Sequence, residues 1–200
     1  MKTLKELIAP TVLFGLAGLA LSSLPWRHTT AEAGVRPAEA AAALAAARGE
    51  YLVRVGGCAD CHTPKKLGPR GPEDDTTRWL AGHPEEAKLP PPPPPGNSPW
   101  FVQTAGQTAW AGPWGITYSA NLTPDVNTGL GIWTEEMFMK AMRTGKHMGS
   151  GRDILPPMPW NALGRLTDED LRAVFAYLKS IPPVNNHVPS PVSPDGHTFE

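Results

Sequence analysis

Cysteine is nearly absent from this 200-residue chain: only Cys58 and Cys61 occur, two residues apart. That is too few for a disulfide-stapled scaffold and too few for a four-cysteine zinc site. Charge of one sign is lacking too, since the formal net charge is -1. A nucleic-acid partner needs a basic face, so that class of partner is excluded. No strand pattern of any length appears and no segment repeats, which leaves an all-α domain as the expectation. What is abundant is punctuation. The 24 prolines and 20 glycines exceed their usual shares of about 5% and 7%, so much of the chain is expected to be loop. Hydrophobic residues make up 40%, enough for a core, and 7 tryptophans suit a domain that packs flat apolar surfaces.

The N-terminus reads as an address. Lys2 and Lys5 precede a stretch from Leu7 to Trp26 without a charged residue, the pattern of an export signal. Ala31-Glu32-Ala33 offers an A-x-A cleavage site. The stretch is also about 20 residues long, enough to span a bilayer if it is retained. Residues 1–33 are therefore expected to be a signal peptide or a membrane anchor. Either way the remainder lies on the periplasmic side of the cytoplasmic membrane, anchored or exported as a soluble protein.

Residues 34–183 are expected to form one domain, and 184–200 an extended proline-rich tail. A first helix is predicted from Ala38 to Val55, with Leu44, Ala47, Tyr51, Leu52 and Val55 at helical spacings. A second starts at the cap Thr134, with Glu135 and Glu136 in its first turn, and stops at Gly145. A third starts at Thr167, carries the stripe Leu171, Val174, Phe175 and Leu178, and stops before Pro182. Residues 64–113 read as a long irregular insertion. It contains six consecutive prolines, Pro90 to Pro95, which at about 3.1 Å per residue make a polyproline II rod of roughly 19 Å. That rod serves as a stiff spacer or as a docking ligand.

The chemistry lies in Cys58-Ala59-Asp60-Cys61-His62. This C-x-x-C-H spacing suits covalent attachment of haem. Two thiols two residues apart reach the two vinyl groups of one porphyrin, and the next residue presents an imidazole to the iron. His62 is placed to bind through Nε2, leaving Nδ1–H for a backbone acceptor. A thiol–disulfide site or another metal also uses C-x-x-C, but the expected βαβ context and further ligands are missing. One motif implies one haem. For the sixth iron ligand, Met158 stands in Pro156-Pro157-Met158-Pro159, where prolines fix the backbone and deny it a helix. Met148 in a glycine-rich turn is the reserve, His83 and His147 offer bis-histidine ligation, and Met137, Met139 and Met142 fall on a predicted helix. A methionine opposite the histidine raises the potential and fills the site, which favours plain electron transfer.

The chain resembles a class I cytochrome c of the membrane-associated bacterial type, similar to the haem modules of gluconate and alcohol dehydrogenase cytochrome subunits. The resemblance rests on Gly56-Gly57-Cys58-Ala59-Asp60-Cys61-His62-Thr63, Gly112-Pro113-Trp114-Gly115, Asn121-Leu122-Thr123-Pro124-Asp125 and Thr128-Gly129-Leu130-Gly131-Ile132-Trp133-Thr134. Ala141-Met142-Arg143-Thr144-Gly145, Pro156-Pro157-Met158-Pro159-Trp160 and the closing helix from Leu166 also fit. It implies a small helical fold, His62 and Met158 as axial ligands, and a Trp114–Asn121 loop at the haem edge. Those dehydrogenase subunits carry three haem modules and this chain has one. The expected role is a non-enzymatic electron carrier with transient redox protein partners. Its rivals are a haem enzyme or gas sensor with a labile sixth ligand, and an electron-entry subunit of a membrane complex.

Overall fold

The computed structural model describes residues 36–92 and 100–199. The chain divides into Met1–Gly34 and Val35–Glu200, and the described residues all belong to the second unit. The expected signal or anchor at 1–33 lies outside the described residues, as does half of the proline run, from residue 93 on. Among the described residues no helix is long and apolar enough to cross a membrane.

Among the described residues there are five α-helices: α1 (Pro37–Val55), α2 (Cys58–His62), α3 (Glu135–Thr144), α4 (Trp160–Leu163) and α5 (Asp168–Ser180). Their ends follow local chemistry. Pro37 opens α1, where its missing N–H costs nothing. Thr134 Oγ1 accepts from the Met137 N–H at α3, and Thr167 Oγ1 accepts from the Asp170 N–H at α5. Gly145 stops α3 in a left-handed conformation at φ 68°.

The core forms where α1 and α5 cross. Val53 from α1 meets Leu171, Val174, Phe175 and Leu178 from α5, with Phe138, Ala141 and Met142 from α3 closing the other side. Phe138 stacks on Phe175 with centroids 5.2 Å apart. The crossing is a backbone contact. A Cβ built on Gly49 would lie 1.9 Å from the Ala173 carbonyl oxygen. This corrects the expected stripe on α1: Leu44, Tyr51 and Val55 are 73%, 56% and 63% exposed. The face that docks is the one with the smallest residue, because only there can the two backbones approach.

The all-α expectation needs a second correction, since short strands accompany the helical frame. β1 (Lys65–Gly68) and β2 (Gly71–Asp74) form a hairpin, and β3 (Val102–Gln103), β4 (Ala109–Gly112) and β5 (Gly115–Tyr118) form a three-stranded antiparallel sheet. Most of this lies inside the expected irregular insertion. The β1–β2 and β4–β5 hairpins turn between paired glycines, Gly68 with Gly71 and Gly112 with Gly115. Gly71 and Gly115 have φ 113° and 100°, a region that favours glycine. Strands of two to four residues are too short to register as alternation, which is why the sequence pattern is silent about them.

Residues 184–199 run along this unit. Ile116 and Val192 exchange backbone hydrogen bonds of 2.7 and 2.9 Å. Asn186 is fully buried. It donates to the Ala81 and His83 carbonyls and accepts from Arg78 and the Glu85 N–H.

Candidate haem site

Gly56 and Gly57 let α1 pass directly into α2. Gly57 precedes Cys58 in a left-handed conformation, φ 68°. α2 is a single turn, so Cys58, Cys61 and His62 at positions i, i+3 and i+4 share one face. The two thiols are free and half-buried. Burial pushes the Cys58 thiol up to about 11, with smaller contributions from Asp60 and Cys61. The Cys61 thiol is raised by burial and by Asp60. Thiols held protonated at neutral pH are poor nucleophiles, the opposite of the depressed values that mark a thiol–disulfide catalyst.

His62 is 7% exposed. Its Nδ1 lies 2.8 Å from the Ala120 carbonyl oxygen. A carbonyl only accepts, so Nδ1 carries the proton and Nε2 keeps its lone pair. Burial lowers the histidine pKa, against a smaller upward pull from the Ala120 bond. The result is a neutral imidazole with one tautomer selected and Nε2 without a protein partner among the described residues, the condition for ligating a metal. The frame around it is tight. The His62 carbonyl accepts from the Gly82 N–H at 2.8 Å. Thr63, fully buried, accepts from the Leu80 N–H at 3.0 Å.

Ala120 opens the Asn121–Asp125 segment. Asn121 is buried and accepts from the Thr123 N–H and hydroxyl at 3.0 and 2.7 Å. Its Nδ2 donates to Thr128 Oγ1 and to the Val184 carbonyl. This motif therefore braces the acceptor of His62 against the chain beyond α5. The Thr123 N–H and hydroxyl close on the side chain two residues back, so the turn arises from local residue types, whereas the tie to Val184 is readable only in the fold.

The other candidates are spread over different elements. Met158 is half-buried and packs against the core cluster. Its loop contains a cis Pro156–Pro157 bond, and the Pro156 carbonyl accepts from Thr117 Oγ1 at 2.8 Å. Met148 lies in a short turn in the left-handed region at φ 53°. Met142 is buried in the core cluster, while Met137 is half-buried on α3. His83 is buried, with Nδ1 2.9 Å from Thr108 Oγ1 and its ring tilted against Tyr118. His147 meets Trp133 edge-on at 5.1 Å. Burial lowers the pKa of both histidines. The Trp114 indole folds over Gly112 and lies 5.9 Å from Phe101, at the far end of β5 from Ala120. Among the described residues no three His, Cys, Asp or Glu side chains gather as a metal site.

Residues 46–182 match the family described as cytochrome c. The chain belongs to the cytochrome c family. Such a domain carries a covalently attached haem c, and the donor set fits: two thiols on one helical face, with a neutral buried imidazole whose Nε2 is free. The chain is 32% identical over 184 residues to a fructose dehydrogenase cytochrome subunit of Gluconobacter japonicus, covering 92% of this chain and 29% of that protein. It is 31% identical over 152 residues to a gluconate 2-dehydrogenase cytochrome c subunit of Pantoea cypripedii, covering 73% and 26%. It is 32% identical over 130 residues to the cytochrome c subunit of a quinone-dependent alcohol dehydrogenase of Gluconobacter oxydans, covering 65% and 20%. The chain thus spans less than a third of the length of these curated relatives.

Sequence reasoning named Cys58, Cys61 and His62 from their spacing. It did not find the Ala120 carbonyl, Thr117 or Asn186. A backbone acceptor has no residue signature, and Thr117 and Asn186 lie in segments whose local pattern carries no such message.

Proposed function

We propose that this chain is an electron carrier built on one haem c, held covalently by Cys58 and Cys61 and axially by His62 and Met158. The observation that carries the reading is the His62 tautomer. A neutral, buried imidazole with Nδ1 committed to Ala120 presents Nε2 as a ligand without rearrangement. The bound haem supplies the one-electron Fe(II)/Fe(III) couple. The chain's own residues orient it, enclose its apolar faces and fill the sixth position, so that a one-electron change meets little reorganisation. Met158 at that position disfavours oxygen chemistry, so the chain is a carrier and not an enzyme. Fast binding of carbon monoxide to the reduced protein would instead support a haem enzyme or sensor.

In this reading residues 1–33 export or anchor the chain, 34–183 hold the haem, with 64–113 as an insertion, and 184–200 form a tail. The domain works on the periplasmic side of the cytoplasmic membrane and meets its redox partners transiently. A second reading is favoured by the relatives' names: the chain is an electron-entry subunit attached to a membrane dehydrogenase. The exported protein is expected to show a c-type absorbance whose haem stays with the polypeptide through acid–acetone extraction; extractable haem would sink both readings. Detergent extraction of native membranes, with identification of what co-purifies, separates a free carrier from a subunit.

A further inference from the structure

We propose that Thr117 is a positioning residue for the Met158 side of the haem. The inference rests on the reading of Met158 as the sixth ligand. Pro156, Pro157 and Pro159 flank Met158, and prolines have no N–H to donate. From Leu155 to Pro159 only Leu155 and Met158 keep an N–H, so outside ties fall mainly to carbonyls and side chains. The Met158 N–H turns back to the Leu155 carbonyl at 3.3 Å, a bond inside the loop. Ile154, at the loop's start, donates to the Gly145 carbonyl at 2.8 Å. Between Leu155 and Met158, the side-chain tie to the rest of the described residues is Thr117 Oγ1, donating to the Pro156 carbonyl at 2.8 Å.

Thr117 is well placed for the task. It is 6% exposed. Its strand is held on two sides, by Trp110 and its neighbours in β4 and by the Ile116–Val192 pair. Three residues on, Ala120 accepts from His62 Nδ1. One short extended segment thus fixes the imidazole on one side and the methionine loop on the other. Slippage of the loop would let the thioether leave the iron, and the Thr117 hydroxyl opposes that slippage.

The test uses the holoprotein and the near-infrared Met-to-iron band of its oxidised form, followed while the pH is raised until the band is lost. Removing the hydroxyl in Thr117→Val is expected to favour the methionine-off state roughly 3- to 10-fold, the value of one net hydrogen bond. The midpoint of band loss then moves down by about half to one pH unit. Thr117→Ser restores it. Thr117→Ala moves it the same way and serves if the valine variant fails to assemble. Unchanged midpoints in both hydroxyl-free variants overturn the proposal. Met158→Ala is the control for the underlying reading. A band that survives it removes Met158 as ligand, and the Thr117 proposal with it; a band lost in Met158→Ala yet unmoved by Thr117 substitution defeats the positioning role alone.

Discussion

His62 is oriented by a main-chain carbonyl, whereas Met158 is carried by a loop in which three prolines donate no N–H. On the first side the imidazole meets the Ala120 carbonyl, the His62 carbonyl meets the Gly82 N–H, and buried Thr63 takes the Leu80 N–H. On the second, a half-buried methionine depends on the Leu155 turn and the Thr117 hydroxyl. The two proposed axial positions therefore differ in adaptability. Folding presets the histidine, since the group that orients its ring is a main-chain carbonyl, that of Ala120. The methionine is held by a few ties, so its strength is open to adjustment by single side chains.

Deleting each side in turn is expected to give unequal losses. His62→Ala is expected to lower the yield of holoprotein by roughly tenfold or more, since even outer-shell partners of a ligating histidine are worth about 10–100-fold. Met158→Ala is expected to keep its covalent haem while the reduced form gains rapid carbon monoxide binding and a lower potential. Equal loss of holoprotein in both variants would erase the distinction.

The frame behind the histidine comes next. Gly49→Val forces a side chain into the Ala173 carbonyl and is expected to cost about 3 kcal/mol, the upper end for overpacking. At this size that lowers the melting temperature by roughly 6–12 °C. Leu44→Ala on the exposed face of α1 is expected to stay within about 0.5 kcal/mol. Similar melting temperatures for the two variants would contradict docking through the Gly49 face.

A smaller effect separates stability from ligation. Thr63→Val leaves the buried Leu80 N–H without its acceptor and is expected to cost about 1–3 kcal/mol in denaturant unfolding. The near-infrared band should not move, in contrast to the Thr117 variants. A shifted band in Thr63→Val would show that the histidine side is as adjustable as the other.

The smallest effect is in pH. Burial holds the His83 pKa below its ordinary 6.5, with a further downward pull from Arg78 against an upward one from Glu86. The unfolded chain therefore takes up a proton that the native state resists. The stability in question is present above 6.5 and is lost as the pH falls towards the depressed native value. The slope per group is at most about 1.4 kcal/mol per pH unit. Melting temperature measured between neutral and mildly acid pH should fall, and His83→Gln should flatten the curve; an unchanged slope would remove His83 as a contributor.

Much of this molecule can be read along the chain. The caps Thr134 and Thr167, the stop at Gly145 and the α5 stripe all arise from neighbouring residues, and the structure carries each of them. The face of α1 could not be read so. Its larger residues suggested the docking side, yet Gly49 docks, because what matters there is the distance between two backbones. The hairpins at Gly68–Gly71 and Gly112–Gly115 were not legible as strands, since four residues of ladder leave no period to detect.

Attachment chemistry is local, so five consecutive residues sufficed to name the covalent group and to propose the residue that faces its iron. Two thiols and an imidazole on one helical turn have that relation in whatever fold surrounds them. The orientation of the imidazole and the hold on the methionine loop are of another kind. They come from Ala120, 58 residues from His62, and from Thr117, 39 residues from Pro156. A carbonyl acceptor is offered by every residue alike, and a lone threonine looks the same in any strand. Only the path of the folded chain brings those particular oxygens within 2.8 Å of their partners.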